Sequence, residues 1–154
     1  MNSFSSGSLD KASIAKLIPH AGNMVLLDTA ESIETSSLQC RSNTHLDASN
    51  PLRTGQGLSA ISGIEYAAQA MALHMSLVND GVPQSGLLAI CKNIKIKHRY
   101  FDAFKDELHI AVEYLNGSIE MGLLQYGFTI FSAAGKQNKT EEIISGELSI
   151  VIQT

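Results

Sequence analysis

The hydrophobic pattern of the chain is helical near the middle and has a period of two beyond it. Residues 58–79 carry apolar or small side chains on nearly every face, with Ile61, Ala68 and Met75 at helical spacing. A helix that is apolar all round is normally buried and surrounded by other elements. The run Asn-Asp-Gly-Val-Pro at 79–83 ends it. We therefore predict one long buried helix over residues 58–79.

After this helix the hydrophobic positions alternate as they do in strands. In the segment 93–97, isoleucine alternates with Asn or Lys, so its two isoleucines are expected to point inward. Asn116-Gly117 separates two further segments and is the strongest short hairpin signal. Residues 135–140 predict a polar turn. The predicted strand segments are residues 87–91, 93–97, 107–115, 118–132 and 143–152.

The N-terminal half completes the layout. Residues 9–17 predict a short helix capped by Asp10, residues 24–40 predict two strands or one long bent strand, and residues 43–57 predict a loop. The order is strand material, one buried helix and then about four antiparallel strands. This order predicts an α+β fold in which a curved antiparallel β-sheet wraps around a long central helix.

Composition and charge narrow the class of protein. The chain has 154 residues, 44% of them hydrophobic and 17% charged, which suits one domain with a sizeable core. Its net charge of −4 and the lack of a basic stripe exclude nucleic acid as an expected partner. No apolar run approaches the roughly 18 residues that span a bilayer, so no membrane association is expected.

Two further features bear on organisation and compartment. Residues 1–8 lack the basic start and apolar stretch of a signal peptide, so they predict a short disordered leader before a single domain at residues 9–154. Cys40 and Cys91 have no metal-ligand spacing and are expected to be buried, reduced thiols. We expect a cytoplasmic protein with no bound metal.

Glu65 is the main candidate for chemistry because it interrupts the buried helix. Gln69 lies four residues later and therefore on the same face, and Ser62 and Tyr66 flank the pair. A carboxylate among apolar residues is costly unless it is paired, and desolvation would raise its pKa towards neutrality. The functional interpretation is a general acid or substrate-positioning carboxylate. The alternative is a glutamate that faces solvent or bonds to a turn of the sheet.

The chain resembles a known family in two ordered motifs. Residues 17–20 read LIPH and residues 24–28 read MVLLD, while residues 63–70 read GIEYAAQA. In this order and spacing they resemble the 3-hydroxyacyl-[acyl carrier protein] dehydratases of fatty-acid synthesis. The run NPLR at residues 50–53 is similar to the dehydratase-like branch found in aryl-polyene pigment clusters.

The resemblance implies a fold, a reaction and site residues. The fold is the hotdog fold, in a dimer with active sites between subunits and an acyl chain beside the helix. The reaction is loss of water from a 3-hydroxyacyl thioester carried on the phosphopantetheine of an acyl carrier protein, with no other cofactor. Glu65 falls on the acidic position and Gln69 on the following glutamine. Amide donors at the helix N-terminus, around Ser62 and Gly63, would polarise the thioester carbonyl.

The sequence departs from the family pattern at the catalytic base. The position of the usual catalytic histidine falls on Pro51. His45 begins the same loop, and His20 matches a family histidine that is not the usual base, so both are candidates for the base. The remaining histidines are expected to pack or to face solvent, and they are His74, His98 and His109.

Three functions remain open at this point. The first is a dehydratase with Glu65 as acid and His45 or His20 as base. The second is an acyl thioesterase in which Glu65 activates water and Gln69 holds it. The third is a partner subunit that binds a carrier or completes a heterodimer, with the histidine supplied in trans. Cations that could meet an acidic carrier or its phosphate, or simply form a solvated face, are Arg41, Arg53, Lys92, Lys95, Lys97 and Arg99.

Overall fold

The computed structural model describes residues 7–133 and 140–153. Its helices and strands are α1 (Lys11–Ala15), β1 (Thr29–Glu31), β2 (Ser37–Ser42), α2 (Gly63–Val78), β3 (Gly86–Ile96), β4 (Leu108–Ser118), β5 (Leu123–Ser132) and β6 (Glu141–Ile152). The strands form one antiparallel sheet in the order β1-β2-β4-β5-β6-β3. Residues 1–6 of the predicted leader and residues 135–139 of the predicted polar turn lie outside the described residues.

Helix α2 is the buried helix that the pattern predicts, and it packs mainly against β2, β4 and β5. It begins at Gly63 rather than at residue 58. The reason lies in the preceding backbone, where the Ala60 amide donates to the Arg99 carbonyl at 2.8 Å and the Phe101 amide donates to the Leu58 carbonyl at 2.9 Å. This pairing keeps residues 58–59 extended. In residues 7–133 and 140–153, we find no helix long and apolar enough to cross a membrane.

The hairpin between β4 and β5 turns later than predicted. Asn116 and Gly117 lie inside β4, where the register with β5 shifts by one residue. The turn itself is closed by the Gly122 amide, which donates to the Ile119 carbonyl at 3.0 Å. Gly122 has φ +75, and Gly117 has φ +92. The prediction at Asn116-Gly117 was therefore wrong, because this glycine serves an irregularity within the strand.

Strand β3 corrects a second prediction. The isoleucines of segment 93–97 were expected to be inward, but Ile96 is exposed and Ile94 only partly buried. Cys91 is exposed as well, while Cys40 is buried as predicted. The reason is that β3 is the edge strand beyond β6, whereas α2 packs mainly against β2, β4 and β5, towards the opposite edge of the sheet. Both faces of this long edge strand are open in the single chain.

Gly63 marks a close approach of α2 to the sheet. A Cβ at this position would lie 2.8 Å from Cγ2 of Ile144 and 3.0 Å from Cδ1 of Ile130. Both isoleucines are fully buried, so neither has free space to move into. The glycine therefore serves packing between helix and sheet.

We predict that Gly63→Ala lowers the free energy of unfolding by about 1–3 kcal/mol, because an extra methyl group overpacks this contact. Urea unfolding measures the change. The control is Gly55→Ala, since a Cβ at Gly55 meets no atom within 4 Å, and its effect should be much smaller. Equal effects of the two substitutions would contradict the packing role of Gly63.

Candidate active site

Glu65 and His20 form a hydrogen-bonded pair on the surface of the helix. Glu65 lies in the first turn of α2, and His20 lies in the loop that follows α1. Nε2 of His20 is 2.8 Å from Oε1 of Glu65, and their side chains are 25% and 34% exposed. The structure thus joins the predicted acid to one of the two predicted bases. Both groups remain within reach of a ligand.

The pairing reverses the expected shift of Glu65. The hydrogen bond from His20 lowers the pKa of Glu65 below its usual value, and this effect outweighs the opposing effect of burial. The expectation of a raised pKa for Glu65 was wrong, because it considered desolvation alone and not a hydrogen-bond donor that stabilises the carboxylate. Glu65 is therefore a carboxylate near neutral pH, and Nε2 of His20 carries the proton that it accepts. Nδ1 of His20 is buried and has no hydrogen-bond partner.

Gln69 joins this pair to the segment after His20. Its Nε2 donates to the Met24 carbonyl at 2.6 Å and to Oε1 of Glu65 at 3.4 Å, while its Oε1 accepts the Leu26 amide at 2.9 Å. The apolar run at 24–27, predicted as strand material, is therefore held by a side chain rather than by a neighbouring strand. Because both ends of its fully buried amide are used within the chain, Gln69 acts here as a clamp. A direct bond to substrate was the original expectation.

A second layer of hydroxyl groups continues the clamp. The Leu26 carbonyl accepts from Oγ of Ser42 at 2.5 Å and from Oγ1 of Thr44 at 2.8 Å. Thr44 also bonds to the hydroxyl of Tyr66 at 2.7 Å. Sequence reasoning missed Ser42 and Thr44. Their signal was weak, namely two hydroxyl residues close together at the end of a predicted strand.

His45, the other candidate base, lies elsewhere. It is fully buried, and its Nε2 donates to the Phe104 carbonyl at 2.9 Å. Its Nδ1 is buried without a partner, so neither ring nitrogen bonds to Glu65. Burial lowers the pKa of His45. The structure does not bring His45 and Glu65 together.

Arg53 braces the loop before the helix. Its Nη1 lies 2.5 Å from Oδ2 of Asp102, and its Nη2 donates to the His45 carbonyl. Asp102 also accepts the Leu58 amide at 2.7 Å. These bonds occupy both terminal nitrogens of the guanidinium group, so Arg53 is not the free cation that was expected to meet a carrier or a phosphate.

The amides before α2 are also occupied. The Ser62 amide donates to the Ser59 carbonyl at 3.0 Å, and the Gly63 amide donates to carbonyls of the preceding turn. The Ile61 amide donates to Oγ of Ser59 at 3.3 Å. Ser62 is partly exposed one turn before Glu65, and its side chain makes no capping bond.

His74 holds the far half of α2. Its Nε2 donates to the Glu34 carbonyl at 2.8 Å, and its Nδ1 accepts from the hydroxyl of Tyr126 at 2.7 Å. Burial lowers the pKa of His74. His98 and His109 are partly exposed. Across residues 7–133 and 140–153, no three His, Cys, Asp or Glu side chains are grouped so that they could hold a metal ion.

Comparison with known proteins adds a family and a fold. A family model described as ApeP-like, ApeP dehydratase, matches residues 12–153. None of the curated proteins matches the sequence. The similar solved structures include two that match along nearly the whole chain. A chain of the dehydratase heterocomplex ApeI:P from Xenorhabdus doucetiae has a TM-score of 0.74 at 16% identity, over 92% of this chain and 91% of that chain.

The second structure is thioesterase superfamily member 2 from zebrafish. It has a TM-score of 0.61 at 11% identity, over 93% of each chain. At such low identities the likeness shows the fold alone. The hotdog fold expected from the sequence is confirmed.

We predict that Gln69→Met destabilises the protein by about 1–3 kcal/mol, because it leaves the buried Leu26 amide without an acceptor. Urea unfolding measures this loss. Gln39→Met removes the same amide from an exposed position on β2 and should change stability little. A Gln69→Met protein as stable as Gln39→Met would contradict the clamp.

We predict that stability falls between pH 7.5 and pH 5. The pKa values of His45 and His74 lie below 6.5 in the folded chain, so the unfolded chain binds protons more readily. Their contribution is complete above about pH 6.5 and is lost as the pH falls below it, by at most about 1.4 kcal/mol per pH unit for each histidine. Urea unfolding across this range measures it. The double substitution His45→Gln/His74→Gln should flatten the dependence, and an unchanged slope would contradict the assignment.

Proposed function

The chain belongs to the ApeP-like dehydratase family, and on this premise we propose that it removes water from a 3-hydroxyacyl thioester. The product is the trans-2-enoyl thioester. The observation that carries the proposal is the contact between His20 and Glu65, at 2.8 Å and partly exposed. A base held by a carboxylate supplies the proton transfer that this elimination needs.

The reaction balances through this pair. Nδ1 of His20, the ring nitrogen that does not bond to Glu65, takes the proton from Cα of the acyl group, and the Glu65 carboxylate stabilises the imidazolium that forms. Because Nδ1 is buried in the single chain, the acyl group must open a path to it when it binds. The electrons of the Cα–H bond become the new double bond, and the bond from C3 to its hydroxyl breaks. The pair returns one proton to the departing hydroxyl, which leaves as water. A carboxylate with a lowered pKa suits this role, since it stays charged while the imidazolium exists.

The proposal gives the chain its own base. The usual histidine position falls on Pro51, which is exposed, and a histidine supplied by a partner was one alternative. His20 removes the need for that, because it reaches Glu65 within one chain. Gln69 supports the pair by fixing the segment that follows His20 to the helix that bears Glu65.

A related hotdog subunit is the proposed partner, in a homodimer or a heterodimer. Strand β3 has eleven residues and an open edge, and an exposed apolar edge strand invites pairing. Next to Glu65, α2 presents partly exposed Ala68 and Ala72. We propose that the partner covers β3 and that the acyl chain lies along these small residues. The similar ApeI:P structure is a heterocomplex, which favours this arrangement.

An acyl carrier protein is the proposed substrate carrier. The phosphopantetheine arm would bring the thioester to the N-terminal end of α2, near Ser62 and the Ile61 amide. This part of the proposal rests on the resemblance of the sequence motifs to acyl-carrier-protein dehydratases, while the family match supports the dehydration itself. It predicts faster turnover of the carrier-bound thioester than of the same acyl group on free pantetheine.

We predict that the purified chain removes one water from a 3-hydroxyacyl carrier protein, measured by intact-protein mass spectrometry. His20→Asn and Glu65→Gln should each reduce the rate by at least about 100-fold, in line with the contribution of a general acid or base. His45→Asn should keep the rate per folded molecule, since His45 does not contact Glu65. His98→Asn is the matched control, because His98 is also a partly exposed histidine, with Nε2 2.8 Å from Oε1 of Glu141.

Each outcome decides between the functions left open by the sequence. Release of free acid without loss of water would replace the dehydratase by a thioesterase. An inactive chain that gains activity only with a related subunit, and that tolerates His20→Asn, would favour a complementary subunit. A large loss in His45→Asn with no loss in His20→Asn would move the base to His45.

A further inference from the structure

The segment that carries His20 is exposed along its length but fixed at both ends. We call residues 19–23 the His20 loop. It follows Ile18, which is buried, and it precedes Met24, whose carbonyl accepts from Nε2 of Gln69 at 2.6 Å. His20 is partly exposed, the other four residues of the loop are exposed, and none of the five belongs to the hydrophobic core. The His20 loop is therefore a surface segment between two anchored positions.

Few polar contacts hold the His20 loop against the rest of the chain. Within the part of the chain that the structure describes, two of its side chains bond to other segments. Nε2 of His20 lies 2.8 Å from Oε1 of Glu65, and Nδ2 of Asn23 donates to the Ser49 carbonyl at 3.5 Å. The first contact is partly exposed, and such pairs stabilise a fold only weakly. The second is at the limit of a hydrogen bond, so the loop is weakly held.

Gly22 gives the His20 loop its closed shape. Its φ is +61, a conformation that residues with a Cβ rarely adopt. The Met24 amide donates to the Ala21 carbonyl at 3.2 Å, and the Val25 amide donates to the Gly22 carbonyl at 3.2 Å. A Cβ at Gly22 would meet no atom within 4 Å. The glycine is therefore required by the backbone conformation of this turn and not by crowding.

The closed His20 loop covers the ring nitrogen that acts as the base. Nδ1 of His20 is buried and has no hydrogen-bond partner, although the side chain as a whole is 25% exposed. A buried polar atom without a partner destabilises the arrangement that buries it. The same ring therefore stabilises the closed loop through Nε2 and destabilises it through Nδ1.

We propose that the His20 loop is a lid, which opens between Ile18 and Met24 to expose Nδ1 of His20 and closes when His20 returns to Glu65. This inference rests on the proposed function, because it explains how a buried nitrogen meets Cα of the acyl group. The weak contacts and the unpartnered nitrogen leave the closed state only slightly favoured, so the lid opens before any ligand binds. The bonds of Gln69 keep the second hinge in place while the lid moves.

Chemical modification by diethyl pyrocarbonate measures the opening, since this reagent attacks an unprotonated imidazole nitrogen that it can reach. Trypsin then releases His20 as the only histidine of peptide 17–41 and the partly exposed His109 as the only histidine of peptide 106–136. Mass spectrometry of the two peptides gives both rates. We expect His20 of the wild-type protein to react measurably, but at least about tenfold more slowly than His109, because a minor open state is populated at about 10% or less.

Substitutions at Gly22 shift the lid towards its open state. Gly22→Ala should raise the rate of His20 modification by about 5- to 30-fold, up to the rate of a fully open lid, because alanine strains the positive φ of the closed loop. Gly22→Asn should raise it less, since asparagine tolerates this conformation better. The matched control is Gly122→Ala in the turn after β4, where φ is +75 and a Cβ also meets no atom within 4 Å. It should leave the rate unchanged.

Four results would overturn the lid, provided that circular dichroism shows native folding for all variants. In the wild-type protein these are a His20 that stays unmodified after His109 has reacted completely, and a His20 that reacts as fast as His109. In the variants they are a Gly22→Ala rate equal to the wild-type rate, and an equal increase in Gly122→Ala. The modification needs neither substrate nor turnover. A chain that fails as a dehydratase can therefore still confirm the lid, and an active chain can still disprove it.

Discussion

A carboxylate on a helix that is otherwise buried is the constraint on which the site depends. Glu65 must bond to something, and its partner is His20, more than forty residues earlier in the chain. This contact requires the loop after α1 to lie against α2. Gln69 secures it by bonding to the backbone of Met24 and Leu26 and to Glu65 itself. The acid–base pair and the packing of the N-terminal segment are therefore one structural feature.

The sheet imposes a second constraint. Helix α2 packs mainly against β2, β4 and β5, and Gly63 lets it approach the buried isoleucines of the sheet. The helix leaves β3 uncovered at the edge of the sheet, where Leu87, Leu88 and Ile90 are exposed. These exposed side chains are the basis for the partner subunit proposed at β3.

The local hydrophobic pattern predicted the helix and most strands because the burial of α2, β5 and β6 follows the periodicity of their own sequences. The prediction failed where contacts with other elements determine exposure or the position of a turn. The exposure of β3 depends on which strands α2 covers, and these are mainly β2, β4 and β5. The position of the turn after β4 depends on the irregularity near Asn116. Within the site, Glu65 and Gln69 were predictable from helical spacing. The pairing with His20, the lowered pKa of Glu65 and the bracing role of Arg53 were not, since each arises from a contact between distant segments.

Long-range 1H–15N NMR of the His20 ring tests the pairing with Glu65 most directly. At neutral pH we predict a proton on Nε2, and we predict that Glu65→Gln shifts the His20 nitrogen resonances because the accepting carboxylate is lost. The resonances of His98, whose Nε2 contacts Glu141, should not move. A His20 spectrum that is identical in the wild-type and Glu65→Gln proteins would contradict the pairing, and with it the proposed acid–base chemistry.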